Sequence, residues 1–86
     1  MPYIAKEVRA AYAVPEMQIA QMIIAHPGNL NYLLTLLCQN YAEYNGNNYQ
    51  AFNDVVGALE CCKLEFYRRA IAEYEDEKIK LNGDVY

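Results

Sequence analysis

The stretch "YQAFNDVVGALECCKLEFYRRAIAEYEDEKIKL", Tyr49–Leu81, decides the fold. It contains no proline and a single glycine, Gly57, so nothing in it forces the backbone out of a helix. As one helix it would be about 50 Å long at a rise of about 1.5 Å per residue. One face carries Phe52, Val55, Val56, Leu59, Cys62, Phe66, Ala70 and Tyr74, the spacing of a core stripe. A second seam, roughly 100° round the helix, holds Asn53, Gly57, Leu64, Tyr67 and Ile71, flanked by Cys61 and Arg68. A helix that is apolar on two faces needs two partners. Glycine costs about 1 kcal/mol in a helix interior, and close approach of another backbone at Gly57 would offset that.

Upstream lies the first partner. Asn29 is placed to cap a helix reaching Tyr44, with Leu30, Leu33, Leu34, Leu37, Cys38 and Tyr41 on one stripe. Gly46 sits where a left-handed C-terminal cap is needed. "NGNN", Asn45–Asn48, is the turn, and Asn47 with Gln50 three residues on reads as a capping box for the long helix. Residues 28–81 therefore form an antiparallel helical hairpin in an all-α chain. The second helix reaches only about 25 Å, so beyond about Phe66 the long helix outruns it. Ala70, Ile71, Tyr74 and Ile79 still need cover there. The N-terminal segment, residues 1–27, supplies part of it and another subunit the rest, which predicts a homo-oligomer. Gly57, Leu64, Ile71, Tyr74, Val85 and Tyr86 are the expected interface residues. The alternative is a monomeric hairpin with the N-terminal helix folded across it.

Within the N-terminal segment, "YIAKEVRAAYA" suits a helix from Ile4 to Tyr12. "PEMQIAQMIIAH" suits another, opened by Pro15, with Met17, Ala20, Ile23 and Ile24 on a stripe and "HPGN" as its stop. The spacing leaves open whether residues 6–26 form one helix or two. At the other end, Asn82-Gly83 stops the long helix, with Lys78 and Lys80 complementing its negative end. The tip, residues 82–86, is expected to dock, with Val85 and Tyr86 packing on Ile79 or Leu81 or on a neighbouring copy.

The 86 residues make one domain, residues 1–86, and so short a chain gains from oligomerisation. The composition is 55% hydrophobic and 21% charged, which is globular rather than disordered. A net charge of −4 argues against general nucleic-acid binding or an anionic membrane surface. Apolar runs such as "MIIA", Met22–Ala25, are far too short to span a bilayer. The opening "MPYIAKEVRA" lacks a signal-peptide core, so an internal location is expected. Three cysteines, Cys38, Cys61 and Cys62, make no disulfide framework and no metal spacing, and reduced thiols in a cytoplasm fit best. The spacing gives Cys61 and Cys62 no specific role. Nine tyrosines suit ring-stacking pockets and interfaces, or simply the half-wet edges of a small core.

Little in the chain resembles a catalytic constellation. His26 is the one histidine, and it precedes a proline in a turn. The glycines are isolated, so no phosphate loop is present. Glu73, Glu75, Asp76 and Glu77 read as a solvated helix face beside Lys78 and Lys80. The chain is therefore expected to be no enzyme and to carry no metal or cofactor. "KLEFYRR", Lys63–Arg69, is the stretch with chemical potential: a tyrosine ring can stack a base while a cation takes a phosphate. Lys63, Tyr67 and Arg68, with Asn31 and Tyr32 from the facing helix start, are the expected ligand-binding residues. The plainer reading is that Glu65, Arg69 and Glu73, spaced i, i+4, staple the helix surface.

"NDVVGALECCKLEFYRRAIAEYEDEKIKLNGDVY", Asn53–Tyr86, together with "GNLNY", Gly28–Tyr32, and the opening "MPYI", resembles a family of small uncharacterised proteins of tailed bacteriophages and related viruses. The stretch from Lys6 to His26 departs from that pattern. The resemblance implies a phage accessory protein acting in the cytoplasm of the infected bacterial host, and brings no catalytic residues with it. The first expectation is a counter-defence sponge, an oligomer that traps a cyclic nucleotide or related immune signal between subunits. The alternatives are a protein-interaction inhibitor of a host defence enzyme, contacting it through Glu73–Glu77, or a virion or assembly accessory protein. These rest on format, small and helical and tyrosine-rich, rather than on a motif.

Overall fold

The computed structural model describes residues 4–86. The chain is all-α, with no strand among the described residues. Its helices are α1 (Lys6–Ala10), α2 (Ala13–Ile23), α3 (Pro27–Tyr44), α4 (Tyr49–Phe66) and α5 (Ala72–Asn82), with a π-helical segment, Tyr67–Ile71, joining the last two. The described residues divide into two compact units, the boundary falling inside α4 between Val56 and Gly57.

The unit ending at Val56 begins with two helices where the sequence left one or two open. Ala11 and Tyr12 separate α1 from α2. Pro15 lies in the first turn of α2, where a missing N–H costs least. Along the contact between α2 and α3, Ile19, Ala20, Ile23, Leu33 and Leu36 are half-buried. Of the stripe expected on α2, Ala20 and Ile23 lie there while Met17 and Ile24 are exposed.

The start of α3 differs from the expectation by three residues. Asn29 is not the cap: the helix opens at Pro27, with His26 before it in an extended conformation, φ −151° and ψ 127°. The physical reason is proline itself. Its ring pushes the preceding residue out of the helical region while presetting its own φ for the first helical position. "HPGN" thus ends one helix and opens the next.

The turn after α3 is held by the two hydrogen bonds of a glycine-based helix stop. Gly46 N–H donates to Glu43 O at 3.1 Å and Asn47 N–H to Ala42 O at 2.8 Å. Gly46 has φ +92° and Asn47 φ +50°, so both sit in the left-handed region. That occupies Asn47, and the cap of α4 falls to Asn48, whose Oδ1 accepts the Ala51 N–H at 2.8 Å. Gln50, expected to complete a capping box with Asn47, instead donates to Asp54 Oδ1 at 2.8 Å.

Beside this turn lie Ala42 and Ala51, at 7% and 2% exposure, the buried hydrophobic residues among those described. The expected core stripe is covered only in part: Leu33, Cys38 and Val55 are half-buried, while Leu37, Tyr41, Phe52 and Val56 are exposed. The reason is geometric. An apolar hollow lined by Cys38, Ala42, Phe52, Val55 and Val56 opens where side chains would have to interdigitate.

The unit Gly57–Tyr86 is helical to Asn82. Gly83, at φ +85° and ψ 152°, a region open essentially to glycine alone, stops α5, and its N–H donates to Ile79 O at 2.8 Å. The tip then turns through a hydrogen bond from Tyr86 N–H to Asp84 Oδ1 at 2.9 Å. Val85 and Tyr86 are fully exposed, so the expected packing of the tip on Ile79 or Leu81 is not made within the chain.

Candidate functional site

The feature that composition and periodicity did not predict is the π-helical segment, Tyr67–Ile71, "YRRAI". Ala72 N–H donates to Tyr67 O, five residues back, and Phe66, Ile71 and Ala72 keep helical dihedrals, so the register widens without a break. Such single-turn insertions are rare and are often found at functional sites. Tyr67 and Arg68, two of the residues expected to bind a ligand, are the first two residues of this segment.

Carboxylates hold both of them. The Tyr67 hydroxyl donates to Glu75, 3.2 Å from one carboxylate oxygen and 3.4 Å from the other, spanning eight residues along the helix. Glu65 Oε1 takes Arg68 Nη2 at 2.7 Å and Arg69 Nε at 2.9 Å, so one oxygen gathers two guanidinium groups. The pair between Glu65 and Arg69 is the i, i+4 staple the spacing predicts. One turn back, Lys63 Nζ lies 3.3 Å from Glu60 Oε1. An exposed pair such as that of Lys63 with Glu60 contributes only about 0–1 kcal/mol, whereas Glu65 is half-buried.

The charge of Glu75 raises the pKa of Tyr67 above the ordinary tyrosine value, and the hydrogen bond and slight desolvation add to it. Phenolate beside carboxylate is disfavoured, so the folded chain holds this proton more tightly than the unfolded chain. Any contribution to stability is therefore present below the ordinary tyrosine pKa and is lost as pH rises through the folded value. Glu75→Gln is expected to lower the Tyr67 titration towards the ordinary value. The check is NMR titration of labelled tyrosine rings, with Tyr67→Phe assigning the resonance; an unmoved titration in the Glu75→Gln chain would refute the coupling.

Asn31 and Tyr32, expected to close the same pocket, lie near the start of α3 in the other unit. Tyr32 is exposed, and Asn31 uses its carbonyl to accept the Thr35 hydroxyl at 2.9 Å. A pocket combining them with Tyr67 is thus not a feature of either unit by itself.

The expected interface residues are mostly open. Leu64 and Tyr74 are exposed, with Lys78 Nζ 5.5 Å from the Tyr74 ring centroid in a cation–π contact, and Ile71 is half-buried. A Cβ built on Gly57 would meet no atom within 4 Å, so nothing within the chain requires glycine there. Among the described residues no three His, Cys, Asp or Glu side chains gather as a metal cage requires, and no helix is long and apolar enough to cross a membrane. The hollow beside Cys38 and Phe52 is the other candidate surface. Its only advance signal was that both residues lie on the apolar stripes of the hairpin helices.

A family model described as a domain of unknown function (DUF6899) matches residues 1–85. No curated protein and no solved structure matches the chain.

Proposed function

We propose, from the premise that the chain belongs to the DUF6899 family, that it works by binding rather than catalysis, and that it does so as a helical homo-oligomer. One observation carries this reading: the buried hydrophobic residues among those described are two alanines, while Leu59, Leu64, Phe66, Tyr67 and Tyr74 are exposed along one helical unit. Burying one large apolar side chain is worth about 1.5–3 kcal/mol. Several left in water on a single helix make association strongly favourable, because two such faces remove them together. The setting that goes with this reading is that of a phage accessory protein in the cytoplasm of an infected bacterium.

A second reading concerns what the oligomer holds. The π-helical segment carries an aromatic ring, Tyr67, and two guanidinium groups, Arg68 and Arg69, residue types suited to a base and a phosphate. This supports sequestration of a nucleotide-type immune signal, with Tyr67, Arg68 and Lys63 as contacts and Asn31 and Tyr32 joining from another surface.

Native mass spectrometry of the protein purified from a bacterium with active nucleotide signalling tests both readings. A discrete oligomer is expected, and for sequestration an added small-molecule mass per site that Arg68→Ala removes while the oligomer persists. A monomer at micromolar concentration would end the first reading. An oligomer without adduct would end the second and turn the search to protein partners.

A further inference from the structure

Asparagine followed by glycine occurs twice in the chain, as Asn45-Gly46 and as Asn82-Gly83. This dipeptide carries a reaction of its own. The backbone nitrogen of the glycine can attack the side-chain carbonyl carbon of the asparagine, and a residue without a Cβ leaves that approach unhindered. The new carbon–nitrogen bond closes a succinimide ring. The side-chain nitrogen leaves as ammonia, taking the proton of the glycine amide with it. Water then opens the ring at one carbonyl or the other, giving aspartate or isoaspartate. Both asparagines are exposed, so access to water does not separate the two pairs.

In the folded chain both attacking nitrogens are occupied. Gly46 N–H donates to Glu43 O at 3.1 Å and Gly83 N–H to Ile79 O at 2.8 Å. The nitrogen must be released before the ring can close, so the rate follows the population of the locally opened state. The two pairs differ in what opening breaks. At the turn, Asn45 Nδ2 donates to Tyr41 O at 2.8 Å and Asn45 O accepts Asn48 Nδ2 at 3.1 Å. Asn47 N–H donates to Ala42 O, and Asn48 caps α4 beside the buried Ala42 and Ala51. Asn82 is the last residue of α5, and its side chain has no hydrogen bond among the described residues. Val85 and Tyr86 beyond it are fully exposed. Opening there frays one terminal turn, which helix ends do readily, whereas opening at Asn45 dismantles the turn that joins α3 to α4.

From this we infer that Asn82 is a site of spontaneous self-modification, converted to isoaspartate and aspartate, while the turn protects Asn45. The inference does not depend on the oligomer proposed above. Either product places a new carboxylate at the negative end of α5, two residues before Asp84, where a negative charge is unfavourable. Isoaspartate also routes the main chain through the former side chain, which adds a methylene to the backbone just before the tip. The reaction therefore alters the last turn of α5 and the setting of Val85 and Tyr86.

Peptide mapping by mass spectrometry tests this on the native chain, aged at mildly alkaline pH in heavy-oxygen water so that each conversion leaves a label. Circular dichroism verifies that the ageing chain stays helical. Asn82 is expected to convert at least about tenfold faster than Asn45, equivalent to about 1.4 kcal/mol in the cost of opening. In strong denaturant the two are expected to convert at similar rates, because the turn no longer protects Asn45. Equal rates in the folded chain, faster conversion at Asn45, or no conversion at either would overturn the inference. So would a preference for Asn82 that survives denaturation, since the neighbouring residues and not the fold would then set it.

Discussion

Leu64→Glu is expected to convert the protein from an oligomer to a monomer, with self-association weakened by at least about 100-fold, or about 2.7 kcal/mol. In the proposed homo-oligomer Leu64, exposed in the single chain, is an expected interface residue. The substitution removes the apolar gain of covering it and would carry a charge into a desolvated setting. Leucine and glutamate are both good helix formers, so the helix itself should persist. Sedimentation velocity at micromolar concentration, with circular dichroism alongside, separates the two effects. A monomer with unchanged helicity is expected, and Leu64→Met should retain the oligomer. An undiminished oligomer in the Leu64→Glu chain would remove Leu64 from the interface.

Ala42→Asp is expected to unfold the α3–α4 hairpin, at a cost of about 3 kcal/mol, the low end of the penalty for an uncompensated buried charge. Three effects act in one direction. The alanine is 7% exposed, so the carboxylate has little access to water. It lies in the last turn of α3, where the helix presents its negative end. Glu43 adjoins it in sequence. Because Asn47 N–H donates to Ala42 O, distortion at this residue also loosens the turn. Loss of cooperative thermal unfolding by circular dichroism is the expected result. Ala42→Ser, which keeps the size nearly constant, should lower the midpoint only slightly. A hairpin that melts unchanged with aspartate at this position would mean that the contact near the turn contributes nothing.

The readable parts of this fold were those set by local chemistry. A long run without proline gave the helical course from Tyr49 to Asn82. Gly46 and Gly83 were legible as helix stops because a left-handed backbone is nearly strain-free only for glycine. The errors lie one to three residues from correct sites and have the same local origin. Asn47 and Asn48 have the same side chain, and only the backbone hydrogen bonds decide which enters the left-handed turn and which caps α4. "HPGN" contains both a stop and a start, and sequence reading saw the stop.

The π-helical segment was invisible for a different reason. Five residues of wider register differ too little from helical spacing for a pattern of apolar residues to distinguish them, and no residue type demands them. The candidate site therefore emerged only in part: Tyr67 and Arg68 were identified by their chemistry, whereas their occupation by Glu75 and Glu65 depended on which turn each side chain reached.

By itself, then, the sequence determined the all-α class, the turn at Asn45–Asn48 and the stop at Gly83. These follow from the backbone preferences of single residues and from fixed spacing along a helix. The tertiary structure alone decided that Ala42 and Ala51 are buried while Leu37 and Phe52 are not, that Glu65 gathers two arginines, and that the tip stands free. Burial and pairing depend on where separate helices and side chains come to rest in three dimensions, and periodicity along one helix carries no record of that.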